Sequence, residues 1–152
     1  MSERRIIGLY AGGLLLLSLI CVHGMRVSHQ SIDVTGVAAG VLFEGFAAPE
    51  SGGRWTNNAR PRLRFDRPLP RQFMLRMSGY GAGTGQDVVV GVPGGSSQVL
   101  HLLAADSTYD VRLENPWLAS AIVWTIAPSQ SPQSGGDNHD PAIALTRLEV
   151  MP

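Results

Sequence analysis

The chain has no lysine, a single cysteine and no excess of charge of either sign. Its 12 basic residues are all arginine, and 12 acidic residues balance them. A balanced charge gives no overall field that would attract a polyanion, so the composition argues against nucleic-acid binding. The single cysteine, Cys21, lies in an apolar N-terminal run. The rest of the chain therefore has no disulfide bond and no thiol nucleophile, and it depends on its core for stability.

Catalytic motifs are also absent. The sequence contains no Gly-x-Ser-x-Gly elbow, no His-Glu-x-x-His and no His/Cys spacing typical of a metal site. The glycine-rich stretch 79–85 precedes a β-prone run, whereas a phosphate-binding loop precedes a helix. His101 lies within a predicted strand, and the segment 137–140 supplies too few oxygen ligands for calcium. We predict no catalytic residue, no metal and no cofactor, but a pair of glycan-cleaving carboxylates stays open because spatial pairing is invisible in a sequence.

The N-terminal segment predicts where the protein is located. Arg4 and Arg5 precede an apolar run over residues 6–22, which is near the lower limit for spanning a bilayer and longer than most signal-peptide cores. The run favours a single-span anchor, with cleavage near Gly24 as the alternative. Arginines before a span stay in the cytoplasm, so the following chain is expected across the membrane. We predict an anchor or signal segment at 1–24, a linker at 25–30 and an extracytoplasmic domain at 31–152.

Beyond the linker, the sequence alternates with the period of two that is typical of β-strands. Residues 72–77 alternate, with Phe73, Leu75 and Met77 expected to face inward. The run 121–126 is the most apolar and predicts a central strand. About eight or nine such runs are separated by glycine, proline, asparagine and aspartate, and none has a helical pattern. We predict an all-β fold, an antiparallel two-sheet β-sandwich that is jelly-roll-like, with a closed barrel as the alternative.

One predicted strand, residues 60–65, alternates arginine with apolar residues. A strand places Arg60, Arg62 and Arg64 on one face and the apolar side chains on the other. Pro61 cannot donate a backbone hydrogen bond, so it predicts the start of a strand or a sheet edge. The arginine row is interpreted either as a solvated face that keeps an edge from pairing with itself or as a contact for an anionic ligand.

The turn at residues 45–56 brings together Glu50, Arg54 and Trp55. A tryptophan ring binds the apolar face of a sugar, and the two charged groups can hydrogen-bond to its hydroxyls. In the alternative interpretation, Trp55 caps the core, while Glu50 and Arg54 form a partly buried ion pair that fixes the turn. Both interpretations stay open at the level of sequence.

Several motifs resemble an extracytoplasmic β-sandwich domain of unknown function that is appended to bacterial phosphoglycerol transferases and membrane glycosyltransferase-like proteins. They are Gly45-Phe46-Ala47-Ala48-Pro49-Glu50, Gly53-Arg54-Trp55-Thr56, Leu69-Pro70, the segment 128–132 and Asp140. The similarity extends over about residues 31–150. Gly52 replaces a usual aromatic residue, and Pro141-Ala142 replaces an arginine that usually follows the aspartate, so ligand pairing through that arginine is not expected.

The resemblance implies a role in envelope glycan assembly without catalysis, because the transferase chemistry of those proteins lies in other domains. We predict a single-pass protein of the bacterial inner membrane whose domain faces the periplasm, or a secreted periplasmic form after cleavage. The expected partners are a glycan or a membrane glycosyl or phosphoglycerol transferase, and the membrane through residues 6–22. A protein-binding or structural module and a glycan-active hydrolase are the alternatives. The candidate ligand-binding residues are Glu50, Arg54, Trp55, Arg62, Arg64 and Asp140.

Overall fold

The computed structural model describes residues 27–127 and 143–152, which form antiparallel β-strands and contain no helix. The predicted all-β fold is therefore confirmed. The strands are, in chain order, β1 (Gln30–Ile32), β2 (Val41–Glu44), β3 (Arg54–Trp55), β4 (Arg62–Phe65), β5 (Gln72–Gly81), β6 (Gln86–Gly91), β7 (Ser97–Leu102), β8 (Ser107–Glu114), β9 (Ala121–Ile126) and β10 (Ile143–Met151).

The strands form two five-stranded sheets with a shared core between them. Sheet A has the order β1-β10-β5-β8, and β3 also pairs with the start of β10. Sheet B has the order β2-β4-β9-β6-β7. All pairings are antiparallel. The chain therefore adopts the predicted two-sheet sandwich and not the alternative closed barrel.

Alternation along the strands fills the space between the sheets with apolar side chains. On β5 of sheet A, Phe73, Leu75 and Met77 are at most 3% exposed, as the sequence predicts. On β9 of sheet B, Ile122 and Trp124 are fully buried, and β9 is the middle strand of its sheet, also as predicted. Burial of apolar surface contributes about 25 cal/mol per Å². This core is therefore the main source of stability for a domain without a disulfide bond.

Strand β4 confirms one of the two positions that Pro61 predicts. Pro61 immediately precedes β4, as expected for a strand start, but β4 lies between β2 and β9 and is not a sheet edge. The missing N–H of Pro61 is tolerated at this position, and its carbonyl oxygen accepts a hydrogen bond from Trp124 N at 3.0 Å. The edges of sheet B are β2 and β7.

The sandwich has a proximal end, at which residue 27 enters the domain. Strands β1 and β10 pair there, with Gln30 opposite Val150. Three loops lie at the same end, at residues 66–71, 92–96 and 115–120. A hydrogen bond of 2.7 Å from Asn115 N to Arg71 O joins two of these loops. The proximal end is therefore a connected surface built from both sheets.

The opposite, distal end carries the turn at residues 45–56. Thr56 N donates to Ile143 O at 2.9 Å, and Ile143 N donates to the hydroxyl of Thr56 at 3.0 Å. These bonds place the turn beside the start of β10. Ala127 and Ile143, the residues on either side of the range 128–142, also lie at this end.

The predicted anchor at 1–24 lies outside the described residues, as do Cys21 and Asp140. Within 27–127 and 143–152, no helix is long and apolar enough to cross a bilayer. Part of the predicted linker 25–30 is packed, because Val27 belongs to the core and Gln30 begins β1.

Candidate functional site

The turn at the distal end is closed by two backbone hydrogen bonds. Glu50 N donates to Gly53 O at 2.9 Å, and Gly53 N donates to Glu50 O at 3.1 Å. Gly53 has a φ of 126°, and a Cβ atom there would lie 2.4 Å from the carbonyl oxygen of Leu145. Only glycine fits this position without a shift of the β10 backbone. The chain after Gly53 is therefore held against β10 as strand β3.

Arg54 points into the sandwich and is held by backbone carbonyl groups. Its Nε donates to Val34 O at 3.1 Å, and its Nη2 donates to Gly36 O at 3.0 Å. The guanidinium carbon lies 4.0 Å from the ring centroid of Phe43, which is a cation–π distance. Burial lowers the pKa of Arg54, and the carboxylate of Asp33 opposes that shift. Arg54 thus joins sheet A to the segment after β1 and to β2 of sheet B.

Glu50 and Arg54 do not form the ion pair of the alternative interpretation. Glu50 is exposed, and the acceptors of Arg54 among the described residues are carbonyl groups. Carbonyl acceptors satisfy a partly buried guanidinium without the desolvation of a second charge. The predicted ion pair is therefore wrong. The backbone of Glu50 closes the turn, and its carboxylate remains at the surface.

Trp55 lies on the outer face of sheet A. It stands opposite Ala144 of β10, and Ala144 stands opposite Tyr80 of β5, so the three side chains share one face. The rings of Trp55 and Tyr80 pack edge to face, with centroids 5.2 Å apart and planes at 90°. Ala144 between them is fully buried, while both rings are partly exposed. Trp55 therefore belongs to an outward-facing aromatic pair, and the interpretation that it caps the core is wrong.

Tyr80 is not among the predicted site residues, because its glycine-rich surroundings, residues 79–85, predict a loop. In the structure β5 extends to Gly81, so Tyr80 stands between two glycines within a strand. A Cβ atom on Gly79 would lie 2.2 Å from the carbonyl oxygen of Ala144, so the glycine permits close approach of β10. An aromatic residue between two strand glycines is the signal that locates Tyr80.

Polar side chains continue from the aromatic pair along the outer face of sheet A. The hydroxyls of Ser78 and Thr108 are 2.8 Å apart and share a hydrogen bond, and Arg147 of β10 stands opposite Ser78. Further along, Arg76 donates to both carboxylate oxygens of Asp110, at 2.7 and 2.9 Å. The face thus presents an aromatic platform followed by hydrogen-bonding groups, a combination that can hold a chain of sugar rings.

The Arg76–Asp110 pair predicts acid sensitivity. The hydrogen bond from Arg76 is the main cause that lowers the pKa of Asp110 from its ordinary value of 3.8. A carboxylate with a lower pKa in the folded chain stabilises the fold above its unfolded pKa, and this contribution is lost as the pH falls through the folded pKa. We expect the urea concentration at the unfolding midpoint to fall as the pH is lowered below about 4, and to fall less in Asp110→Asn. Equal pH dependence of the two chains, measured by urea titration, would contradict this assignment.

Arg62 and Arg64 lie on the outer face of sheet B, away from the aromatic pair. Both form ion pairs with Glu44 of β2, and the Arg64 contact measures 3.3 Å. The hydrogen bond from Arg62 is the main cause that lowers the pKa of Glu44. The arginine row is thus an exposed strand face with a carboxylate partner. The structure does not bring it together with Trp55.

The remaining sequence candidates do not form a catalytic or metal site within the described part of the chain. His101 Nδ1 lies 2.6 Å from Asp87 Oδ1 across β7 and β6, so His101 is a hydrogen-bonded sheet residue, as predicted. Within residues 27–127 and 143–152, no three His, Cys, Asp or Glu side chains cluster to hold a metal ion. The segment 137–140, with Asp140, lies outside the described residues.

A cleft of about 720 Å³ lies at the proximal end, far from the turn. Val27, Arg71, Glu114 and Pro152 are among the residues that line it. The cleft opens where the residues before Val27 join the domain. Its volume therefore does not locate a ligand site, and the aromatic pair remains the better candidate.

The two-sheet architecture is similar to the β-sandwich of two solved carbohydrate-binding modules. A mutant of the family 29 carbohydrate-binding module CBM29-2 has a TM-score of 0.58 and 13% identity, with 81% of this chain and 91% of that chain covered. BiXyn10A CBM1 in its apo form has a TM-score of 0.52 and 11% identity, with 80% of this chain and 96% of that chain covered. At such low identity the likeness shows the fold alone.

Sequence comparison shows the family. The family model described as domain of unknown function DUF7024 matches residues 26–152, so the chain belongs to this family. The chain is also 31% identical over 120 residues to phosphoglycerol transferase I of Citrobacter koseri, an alignment that covers 72% of this chain and 15% of the relative. The chain thus corresponds to a small part of that transferase. The resemblance to a domain appended to phosphoglycerol transferases is confirmed.

Proposed function

We propose that this domain is a non-catalytic module that binds an envelope glycan on the outer face of sheet A. Residues 6–22 would anchor it in the bacterial inner membrane with the domain in the periplasm. The single observation that carries the proposal is the Trp55–Tyr80 pair, which exposes two rings on a sheet face that continues into hydrogen-bonding groups. The carbohydrate-binding-module fold and the similarity to a phosphoglycerol transferase support it.

Each residue of the site has a distinct role in this proposal. The partly exposed ring of Trp55 stacks on the apolar face of a sugar, and Tyr80, which packs at 90° to it, holds the indole in place. The hydroxyls of Ser78 and Thr108 exchange hydrogen bonds with the next sugar along the face. The exposed carboxylate of Glu50 accepts from a sugar hydroxyl at the distal end. Arg54 positions the turn and does not contact the ligand, because its guanidinium is already bonded to the protein.

The proposal is tested by titrating the full chain in detergent micelles with gluco-, manno- and galacto-oligosaccharides and measuring the heat of binding. Trp55→Ala should weaken binding at least about tenfold, or about 1.4 kcal/mol, because the stacking surface is lost. Trp117→Ala is the matched control, because Trp117 is an exposed tryptophan at the opposite end and should leave the affinity unchanged. Unaltered affinity in Trp55→Ala would contradict the site, and turnover of the glycan would contradict a non-catalytic role.

A transferase partner is the second candidate function. The transferase of Citrobacter koseri is much longer than the segment that matches this chain, so the relative carries this type of domain together with other parts. A module of this kind would place glycan beside a transferase. Two results together would favour docking over glycan binding. None of the oligosaccharides would bind, and a membrane glycosyl or phosphoglycerol transferase would copurify with the tagged native chain but not with Trp55→Ala.

A further inference from the structure

A second exposed tryptophan lies at the proximal end. Trp117, in the loop between β8 and β9, is 79% exposed, whereas Trp124 of β9 is fully buried. A Cβ atom on Gly94 would lie 3.1 Å from Cδ1 of Trp117, so the indole lies against the turn between β6 and β7. Trp117 is therefore an apolar group at the surface, on the side of the molecule where residue 27 enters.

The loop holds Trp117 in a defined position. Asn115 is fully buried, and its side-chain amide donates to Leu69 O and Ala119 O, both at 3.0 Å. Its Oδ1 accepts from Ala119 N at 2.8 Å. Leu118 has a φ of 54°, a left-handed conformation that a large side chain adopts only when its surroundings impose it. The indole of Trp117 is therefore exposed on a loop that is fixed by buried hydrogen bonds.

The length of chain before residue 27 limits how far the proximal end can lie from the bilayer. The predicted apolar run ends at residue 22, and Val27 is already fixed to the domain by a hydrogen bond of 3.0 Å to Pro68 O. An extended chain rises at most about 3.6 Å per residue, so the end of the run lies within about 18 Å of Val27. A spanning run therefore keeps Val27, at the proximal end that also carries Trp117, within about 18 Å of the bilayer.

The charges at the proximal end do not select for anionic lipid. Arg67 and Arg71 are exposed there, and so are Asp66 and Glu114. Opposite charges of similar number give little net attraction to an anionic surface. A tryptophan ring does not need such attraction, because indole partitions to the headgroup region of bilayers of any charge.

We infer that the proximal end is a membrane-contact surface on which Trp117 inserts its ring among phospholipid headgroups. The inference rests on the proposed anchor at residues 6–22. It adds to the proposed function a fixed orientation, in which Trp117 faces the bilayer and the Trp55–Tyr80 pair faces away from it.

The experiment reconstitutes the full chain into vesicles of phosphatidylcholine and, in parallel, of phosphatidylcholine brominated near the headgroup end of its acyl chains. Bromine quenches tryptophan fluorescence only at short range. The native chain should lose emission in brominated vesicles, and the loss should disappear in Trp117→Phe. Trp55→Phe is the matched control, and its emission should still fall in brominated vesicles. Addition of phosphatidylglycerol should leave the quenching unchanged, because the proximal end carries little net charge.

Each outcome has a defined meaning. Vesicle flotation with quenching that depends on Trp117 supports the inference. Flotation with equal quenching in the native chain and Trp117→Phe overturns the inference and leaves the anchor intact. Failure to float overturns the anchor and the inference together, while the oligosaccharide titration still judges glycan binding separately. Near-ultraviolet circular dichroism of each variant confirms that the comparison is made between folded chains.

Discussion

Gly53→Ala is expected to destabilise the domain by roughly 3 to 5 kcal/mol, from a strained φ and from overpacking against β10. The φ of 126° disfavours any residue with a Cβ atom, and that atom would lie 2.4 Å from Leu145 O. The clash is with backbone, so no side-chain rotation relieves it. Loss of the β3–β10 pairing should also displace Trp55 and abolish glycan binding. Urea unfolding and oligosaccharide titration of the same sample measure both effects.

Gly52→Ala is the matched control, because Gly52 is the preceding residue of the same turn. A Cβ atom there meets nothing within 4 Å, and its φ is not in the left-handed region. We expect a change of no more than about 0.5 kcal/mol in the free energy of unfolding. Similar destabilisation by the two substitutions would show that the turn, and not the contact with β10, determines the effect.

Trp124→Ala is expected to cost about 3 to 5 kcal/mol, because it removes the largest fully buried side chain of the core. The loss should also reach the candidate site. Trp124 packs edge to face on Phe46 with centroids 6.0 Å apart, and Phe46 packs in the same way on Phe43 at 5.5 Å. The guanidinium of Arg54 lies over Phe43. The core tryptophan therefore supports, through two phenylalanines, the arginine that positions the turn.

Two further variants separate these contributions. Trp124→Phe keeps an aromatic ring, and the indole N–H has no hydrogen-bond partner among the described residues, so the loss should be clearly smaller than in Trp124→Ala. Trp117→Ala removes an exposed ring and should change the free energy of unfolding by less than about 0.5 kcal/mol. Equal destabilisation by Trp124→Ala and Trp117→Ala in urea unfolding would contradict the assignment of the core.

The fold follows from local patterns in the sequence. Alternation in residues 72–77 predicts the inward side of β5, because every second residue of a strand faces the same way, and the apolar run 121–126 predicts a central strand. The short β-prone runs, separated by glycines and prolines, predict many short antiparallel strands and hence a sandwich. Pro61 predicts a strand start or a sheet edge, and the strand start is found, because proline removes only its own backbone donor and leaves the residues after it free to pair on both sides.

The site depends on contacts between residues that are distant in the chain. Trp55 and Tyr80 meet only because β3 and β5 both pair with β10, and a single sequence gives no register for such pairings. The acceptors of Arg54 are backbone carbonyls of Val34 and Gly36, and a carbonyl group is not specified by residue type. The sequence therefore identifies the turn as important, but it does not identify the carbonyl partners of Arg54 or the presence of Tyr80 beside Trp55.

The pairing of β1 with β10 has a consequence for how the domain can be built into larger proteins. Because Gln30 stands opposite Val150, polypeptide that continues from either side would leave the sandwich at one pole. Neighbouring modules attached there would not cover the aromatic face near the other pole. The same fold can thus be joined to other parts of a protein at that pole, with the face that carries Trp55 and Tyr80 left uncovered.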